Sequence, residues 1–138
     1  MIEISTDKEK LDIRAIHSYL ANESYWAKGR TLETVQRSIE NSLCFGVYLE
    51  NRQVGFARVI TDYAVFAWLL DVFILPEYQG NGYGKKLLRA IMTHDNLQGL
   101  RRWGLGTDDA HGLYKQFGFT PLNKPGNMME ILNKTGGQ

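Results

Sequence analysis

Apolar and polar positions recur along this chain with periods that divide it into short, distinct segments. Ile2 and Ile4 sit between polar neighbours, the two-residue period of a half-buried strand. Thr6 followed by Glu9 reads as a capping box for a first helix carrying Leu11, Ile16, Tyr19 and Leu20 on or near one face and ending around Ala21. Thr31 is the expected N-cap of a second helix, with Leu32, Val35 and Ile39 at helical spacing. From Leu43 the period shortens. Runs from Leu43 to Leu49 and from Val54 to Thr61 flank a polar turn of hairpin length, Glu50 to Gln53, and a third run from Val65 to Leu75 completes an antiparallel meander. That third run is apolar on both faces and belongs in the middle of a sheet, where Asp71 is costly unless paired, hydrated or used.

Pro76 ends the third run, and a glycine-rich turn leads into a helix carrying Leu87, Leu88, Ile91 and Met92. Arg101 to Thr107 reads as a strand parallel to its predecessor, because a helix intervenes. Asp108 or Asp109 is placed to cap a short last helix through Phe117, which Gly118 breaks. Phe119 to Leu122 reads as another strand, with Asn127 to Leu132 as a last one pairing with it, and residues 134–138 as a frayed tail. The expected architecture is α/β in one domain over residues 1–138, with no internal repeat and no linker.

Composition narrows the function classes. A hydrophobic content of 43% argues for a folded core, and a net charge of +1 supplies no broad drive toward nucleic acid or membrane. The cluster Arg101-Arg102-Trp103 lies on an expected inner strand and lacks a continuous charged surface, so nucleic acid is not an expected partner. Cys44 has no disulfide partner, and three scattered histidines form no metal-ligand cluster, so no metal is expected. The N-terminal residues are too charged for a signal peptide, and the longest apolar run, Ala64 to Leu70, stops far short of membrane length; a cytoplasmic location is the expectation.

The chemistry concentrates in Gln79-Gly80-Asn81-Gly82-Tyr83-Gly84-Lys85-Lys86, between strand and helix. Glycines there adopt positive φ and let backbone N–H groups at a helix start approach a phosphate. A P-loop needs serine or threonine directly after its lysine, whereas Lys85 is followed by Lys86 and Leu87. The dinucleotide fingerprint needs G-x-G-x-x-G after the first strand of a parallel unit, whereas G-x-G-x-G here follows a meander. A turn that merely packs helix against strand is the remaining alternative.

Gln79 to Gly84 resembles the Q/R-x-x-G-x-G/A signature of the GCN5-related N-acetyltransferase (GNAT) superfamily. Gly112-Leu113-Tyr114-Lys115-Gln116-Phe117-Gly118-Phe119 resembles that family's second recurrent segment, and the element order matches over nearly the whole chain. The resemblance implies a mixed, mostly antiparallel sheet of six to seven strands, splayed between strands 4 and 5, with about four helices. It implies transfer of an acetyl group from acetyl-coenzyme A to a primary amine, directly and without metal. The small polar molecule suggested by the acceptor pocket is one acceptor class. A protein or peptide amine, or a non-catalytic acyl-coenzyme A sensor, is the alternative. A homodimer is allowed, although no stretch specifies an interface.

By the same resemblance, backbone groups from Gly80 through Asn81, Gly82, Tyr83 and Gly84 to Lys85 cradle the pyrophosphate, and Gln79 fixes the turn. Lys86 and Arg89 add local positive charge. Val72, Phe73 and Ile74 offer their backbone to the pantetheine arm in the splay, with Gly104 and Gly106 leaving room and Thr107 standing where asparagine is frequent in the family. Tyr114 matches the residue that returns a proton to the leaving thiolate; a phenol with a pKa near ~10 holds that proton at neutral pH. For the general base the reading stays open: Asp71 is the first candidate, an ion pair its structural alternative, and Arg58, Asp62, Glu23 and His111 are further candidates. Tyr25, Trp26, Arg58 and Asp62 are the expected acceptor-binding residues.

Overall fold

The alternation at the N-terminus forms strand β1 (Ile2–Ser5), in a computed structural model that describes residues 1–138. The expected capping box does not form. Asp7 instead caps one 3-10 turn over Lys8–Lys10, and Asp12 caps α1 (Ile13–Asn22) by accepting from the Ala15 N–H. A tertiary contact selects this later start: the Asp12 N–H donates to Gln53 Oε1 at 2.7 Å, a partner no local pattern contains. Helix α2 (Leu32–Glu40) begins at Thr31 as its spacing predicts, with the Thr31 hydroxyl accepting from the Thr34 N–H and with Val35 and Ile39 buried.

Strands β2 (Leu43–Leu49), β3 (Arg52–Thr61) and β4 (Phe66–Ile74) form the meander. Its first turn is two residues long rather than four: Glu50 and Asn51, both at positive φ (50° and 67°), connect the Leu49–Arg52 pair. Helix α3 (Tyr83–Met92) then crosses over to β5 (Arg102–Gly104), which pairs parallel to β4, and α4 (His111–Lys115) follows. The sheet order is β1-β2-β3-β4-β5, all antiparallel except the last pair.

Two apolar clusters flank this sheet. Phe45, Val47, Ala57, Ala67 and Leu69 meet Leu87, Leu88 and Ile91 of α3 on one face, while Phe56 and Phe73 meet Ile16, Leu20, Val35 and Ile39 of α1 and α2 on the other. Each fully buried leucine or isoleucine contributes about 1.5–3 kcal/mol to this layered packing.

Two irregularities in β4 shape the functional region. Arg58 opposes Leu70 and Phe56 opposes Phe73, so Asp71 and Val72 together face the single residue Ala57. This β-bulge, with Asp71 at φ 54°, reverses the alternation: Ala67 and Leu69 point toward α3, whereas Asp71 meets Arg58 and Phe73 joins the α1–α2 side. The second irregularity is the splay. β5 pairs only with Phe66, Ala67 and Trp68, and beyond Trp68 the edge of β4 has no partner strand. Gly104 does not clear space for a ligand as expected; a Cβ there would lie 2.2 Å from the Trp68 ring, so it makes room for Trp68 at the fork. A Cβ on Gly106 would meet nothing within 4 Å, and the gap widens there.

The sheet has five strands, not six or seven. Phe119 to Leu122 contains Pro121, which has no N–H to donate, and β5 is too short to offer a long edge. Asn127 to Leu132 likewise forms no ladder; Asn127 instead ends a 3-10 turn begun by Pro125. The Gln138 carbonyl accepts from Thr34 Oγ1 at 2.7 Å. No helix is long and apolar enough to cross a membrane.

Candidate active site

The turn after β4 is built from its own side chains outward. Gln79 Nε2 donates to the Ile74 carbonyl at 2.9 Å and Asn81 Nδ2 to the Tyr78 carbonyl at 3.1 Å, pinning the turn to the end of the strand. Gly80 and Gly82 take φ values of 85° and 78°, a region most side chains avoid. The consequence is a run of free donors: the N–H groups of Gly80, Asn81, Gly82, Tyr83, Gly84 and Lys85 donate to no acceptor in the protein. They lie at the start of α3, the positive end of its dipole, which favours an anion with several oxygens.

This turn opens into a cavity of ≈ 570 Å³, lined by Val72, Phe73 and Ile74 on the unpaired edge of β4 and by Gln79, Gly80, Gly82, Tyr83 and Gly84. A second cavity of ≈ 420 Å³ lies between β4 and the segment after β5, against Trp68, Asp71, Leu105, Thr107 and Asp108. Tyr25, Trp26, Val72, Asp109, Ala110 and Tyr114 line both, so the two spaces meet at these residues. The Tyr25 hydroxyl accepts from the Asp108 N–H at 2.8 Å, carrying the α1–α2 loop across the splay. Thr107 Oγ1 accepts from the N–H groups of Asp109 and Ala110, which sets the start of α4 and supersedes the expected aspartate caps.

Helix α4 presents Tyr114 at this meeting point. Gly118, at φ 95°, ends the helix and folds the chain back so that Phe119 packs edge-on to Tyr114 at 5.9 Å. Burial, reinforced by the nearby Tyr25 and Asp109, pushes the Tyr114 phenol up to about 12. It therefore keeps its proton throughout the neutral range.

A family model described as an acetyltransferase (GNAT) domain matches residues 40–121, which span β2 through the segment after α4. This chain belongs to the GNAT acetyltransferases. A GNAT-family protein of Xanthomonas campestris pv. campestris, named as an acetyltransferase, is 53% identical with a TM-score of 0.95, covering 96% of this chain and 94% of its own. A Gibberella zeae protein named as an acetyltransferase is 33% identical over 80% of this chain and 74% of its own length. A Clostridium acetobutylicum acetyltransferase solved with acetyl-CoA shares the fold, with a TM-score of 0.69 at 15% identity, covering 96% of both chains.

Within the GNAT frame, the expected acceptor residues separate. Asp71 borders the smaller cavity, but both carboxylate oxygens are taken. Oδ1 accepts from Trp26 Nε1 at 2.9 Å and from Arg30 Nη1 at 3.2 Å, and Oδ2 from Arg58 Nε at 2.8 Å and Arg30 Nη1 at 3.2 Å. Its side chain is 2% exposed, so the structure gives it the ion-pair role and leaves no free lone pair aimed at a substrate amine. Arg58 turns the same way, holding Asp71 and Ser42 Oγ, and borders neither cavity. Asp62 lies in the β3–β4 loop, where its carboxylate accepts from the N–H groups of Ala64, Val65 and Phe66; those bonds hold its pKa down. It is a loop cap and borders neither cavity. Glu23 borders only the larger cavity, and His111 neither.

Three residues stand at the site that the sequence pattern did not assign to it. Arg30 completes the Asp71 cluster, Trp68 walls the smaller cavity, and Tyr19 stacks on Phe73 at 4.1 Å. Only Arg30 carried a signal, as the last residue of the aromatic loop holding Tyr25 and Trp26. Asn81 and Lys85 contribute N–H groups to the turn but do not line the cavities.

Proposed function

We propose that this GNAT acetyltransferase moves an acetyl group from acetyl-CoA to the primary amine of a small molecule. The observation that carries the reading is the run of donors from Gly80 to Lys85, opening into a cavity that follows the unpaired edge of β4 to Tyr114. A pyrophosphate fits that run in charge and in number of acceptor oxygens, and the free edge of β4 suits an arm bearing amides. Acetyl-CoA supplies the thioester. The chain's own residues supply the rest: Gly80 to Lys85 bind the phosphates, and Val72 to Ile74 align the pantetheine arm. Tyr114 holds a proton where the leaving sulfur needs one. The strap formed by Tyr25 and Asp108 across a cavity of ≈ 420 Å³ favours a compact acceptor over a peptide laid along an open groove.

The test is thiol release from acetyl-CoA across a panel of primary amines, with CoA binding measured in parallel. Tyr114→Phe should lower kcat by about 100-fold while CoA affinity holds, the size expected for one proton donor. CoA binding with no thiol release on any amine would favour a non-catalytic binder.

A further inference from the structure

Acyl transfer takes place where the donor and acceptor spaces meet, and this structure restricts the groups that face both. Of the six residues lining both cavities, Val72 and Ala110 offer no polar side chain. Trp26 spends its N–H on Asp71, and the Tyr25 oxygen accepts from Asp108. Tyr114 holds the proton destined for sulfur. That leaves Asp109, the only carboxylate bordering both spaces; it makes no ion pair, its side chain accepts no hydrogen bond, and it does not cap α4. Asp71 and Asp108 border the smaller cavity alone and Glu23 the larger alone.

We propose that Asp109 is the acceptor-recognising carboxylate of this site, receiving the cationic head of the amine and taking its first proton. This rests on the acetyl-CoA reading above. Its charge is felt by both neighbouring phenols: Asp109 helps to raise Tyr114 and Tyr19, after burial in each case. The aromatic walls of Tyr25, Trp26 and Trp68 suit the apolar body of such an amine, and faces of that kind also attract an ammonium. The ligand class is therefore a small primary ammonium with an apolar or aromatic body.

The ammonium gives one proton to Asp109, which is exposed and passes it to solvent. The neutral nitrogen forms a C–N bond to the thioester carbonyl carbon as the C–S bond breaks. Sulfur takes the Tyr114 proton, and the second nitrogen proton restores the Tyr114 phenol. Amide, thiol and one solvent proton result.

Titration of benzylamine into CoA-saturated protein, where no transfer occurs, reads recognition alone. Asp109→Asn should weaken benzylamine binding by about 30-fold, as loss of a charged hydrogen-bond partner does, with CoA affinity unchanged. Asp95→Asn should leave both within about threefold, because that carboxylate is exposed and borders neither cavity. With acetyl-CoA, Asp109→Asn should lower kcat/KM for benzylamine by about 100-fold, and Asp109→Glu should recover part of it. Equal benzylamine affinity in wild type and Asp109→Asn, an equal or larger loss in Asp95→Asn, or no benzylamine binding to the CoA-loaded wild type would overturn the proposal. Failure of the wild type to bind CoA would instead overturn the reading beneath it.

Discussion

The glycine turn after β4 and the cluster around Asp71 both hang on the C-terminal half of β4, yet they are built in opposite ways. The turn is exposed, draws every member from Gln79 to Lys85, and works through backbone N–H groups that find no partner inside the protein. The cluster is buried, draws Trp26, Arg30, Arg58 and Asp71 from separate elements, and consists of side chains that satisfy one another. Reactive potential survives in the first because nothing in the fold consumes it. In the second the fold consumes all of it, and a carboxylate beside the smaller cavity becomes a strut. The same contrast separates Asp71 from Asp109: both border the smaller cavity, but only one retains free lone pairs.

The largest effect should come from the turn. Gly82→Asp places a side chain at φ 78° and a negative charge where the phosphates are to lie, while its Cβ would meet nothing within 4 Å. CoA affinity should fall by at least about 100-fold with folding retained, read by calorimetry, since a like charge opposes an anion at close range. Unchanged affinity would remove the backbone-donor side of the contrast.

Asp71→Ala should act on stability instead. It strands the guanidinium groups of Arg58 and Arg30, whose side chains are 10% and 18% exposed, and a loss of about 3–5 kcal/mol in urea unfolding is expected for a broken buried pair. A loss below about 1 kcal/mol would show that water replaces the carboxylate easily.

Alkaline pH probes the residues between these extremes. Burial raises Tyr114 and Tyr48 from 10.0 to about 12 and Cys44 from 9.0 to about 11. Each group binds its proton more tightly folded than unfolded. Their stabilisation is thus complete below the unfolded values of 9.0 and 10.0 and is lost as pH rises through about 11 to 12. Tm should stay level from these groups up to about pH 9 and decline above it, and Tyr114→Phe should remove part of the decline. A Tm that falls between neutral pH and pH 9 because of Tyr114 would contradict its role as a protonated donor.

The smallest effect is expected at Asp62. Asp62→Ala removes three hydrogen bonds from an exposed loop, so Tm should drop slightly while amine kcat/KM stays level. A selective rise in amine KM would return Asp62 to the acceptor site.

Much of the glycine turn and of the fold around it was legible in the chain. Glycine spacing in Gln79 to Gly84, the Thr31 cap and the meander from Leu43 are local features, fixed by positive φ, capping geometry and side-chain period over a few residues. The motif around Tyr114 and Gly118 is equally local. What lay beyond reach depended on distant partners. Gln53 chose where α1 starts, Trp68 needed Gly104 at the fork, and Pro121 with a short β5 left the sheet at five strands. The bulge opposite Ala57 decided the face that Asp71 occupies, and residues from the α1–α2 loop and β3 decided that its oxygens are taken. Sequence by itself determined the glycine turn and the family, because a run of free backbone donors needs only the right local conformation. Tertiary structure decided which carboxylate stays free, because the state of a side chain depends on every neighbour the fold brings to it.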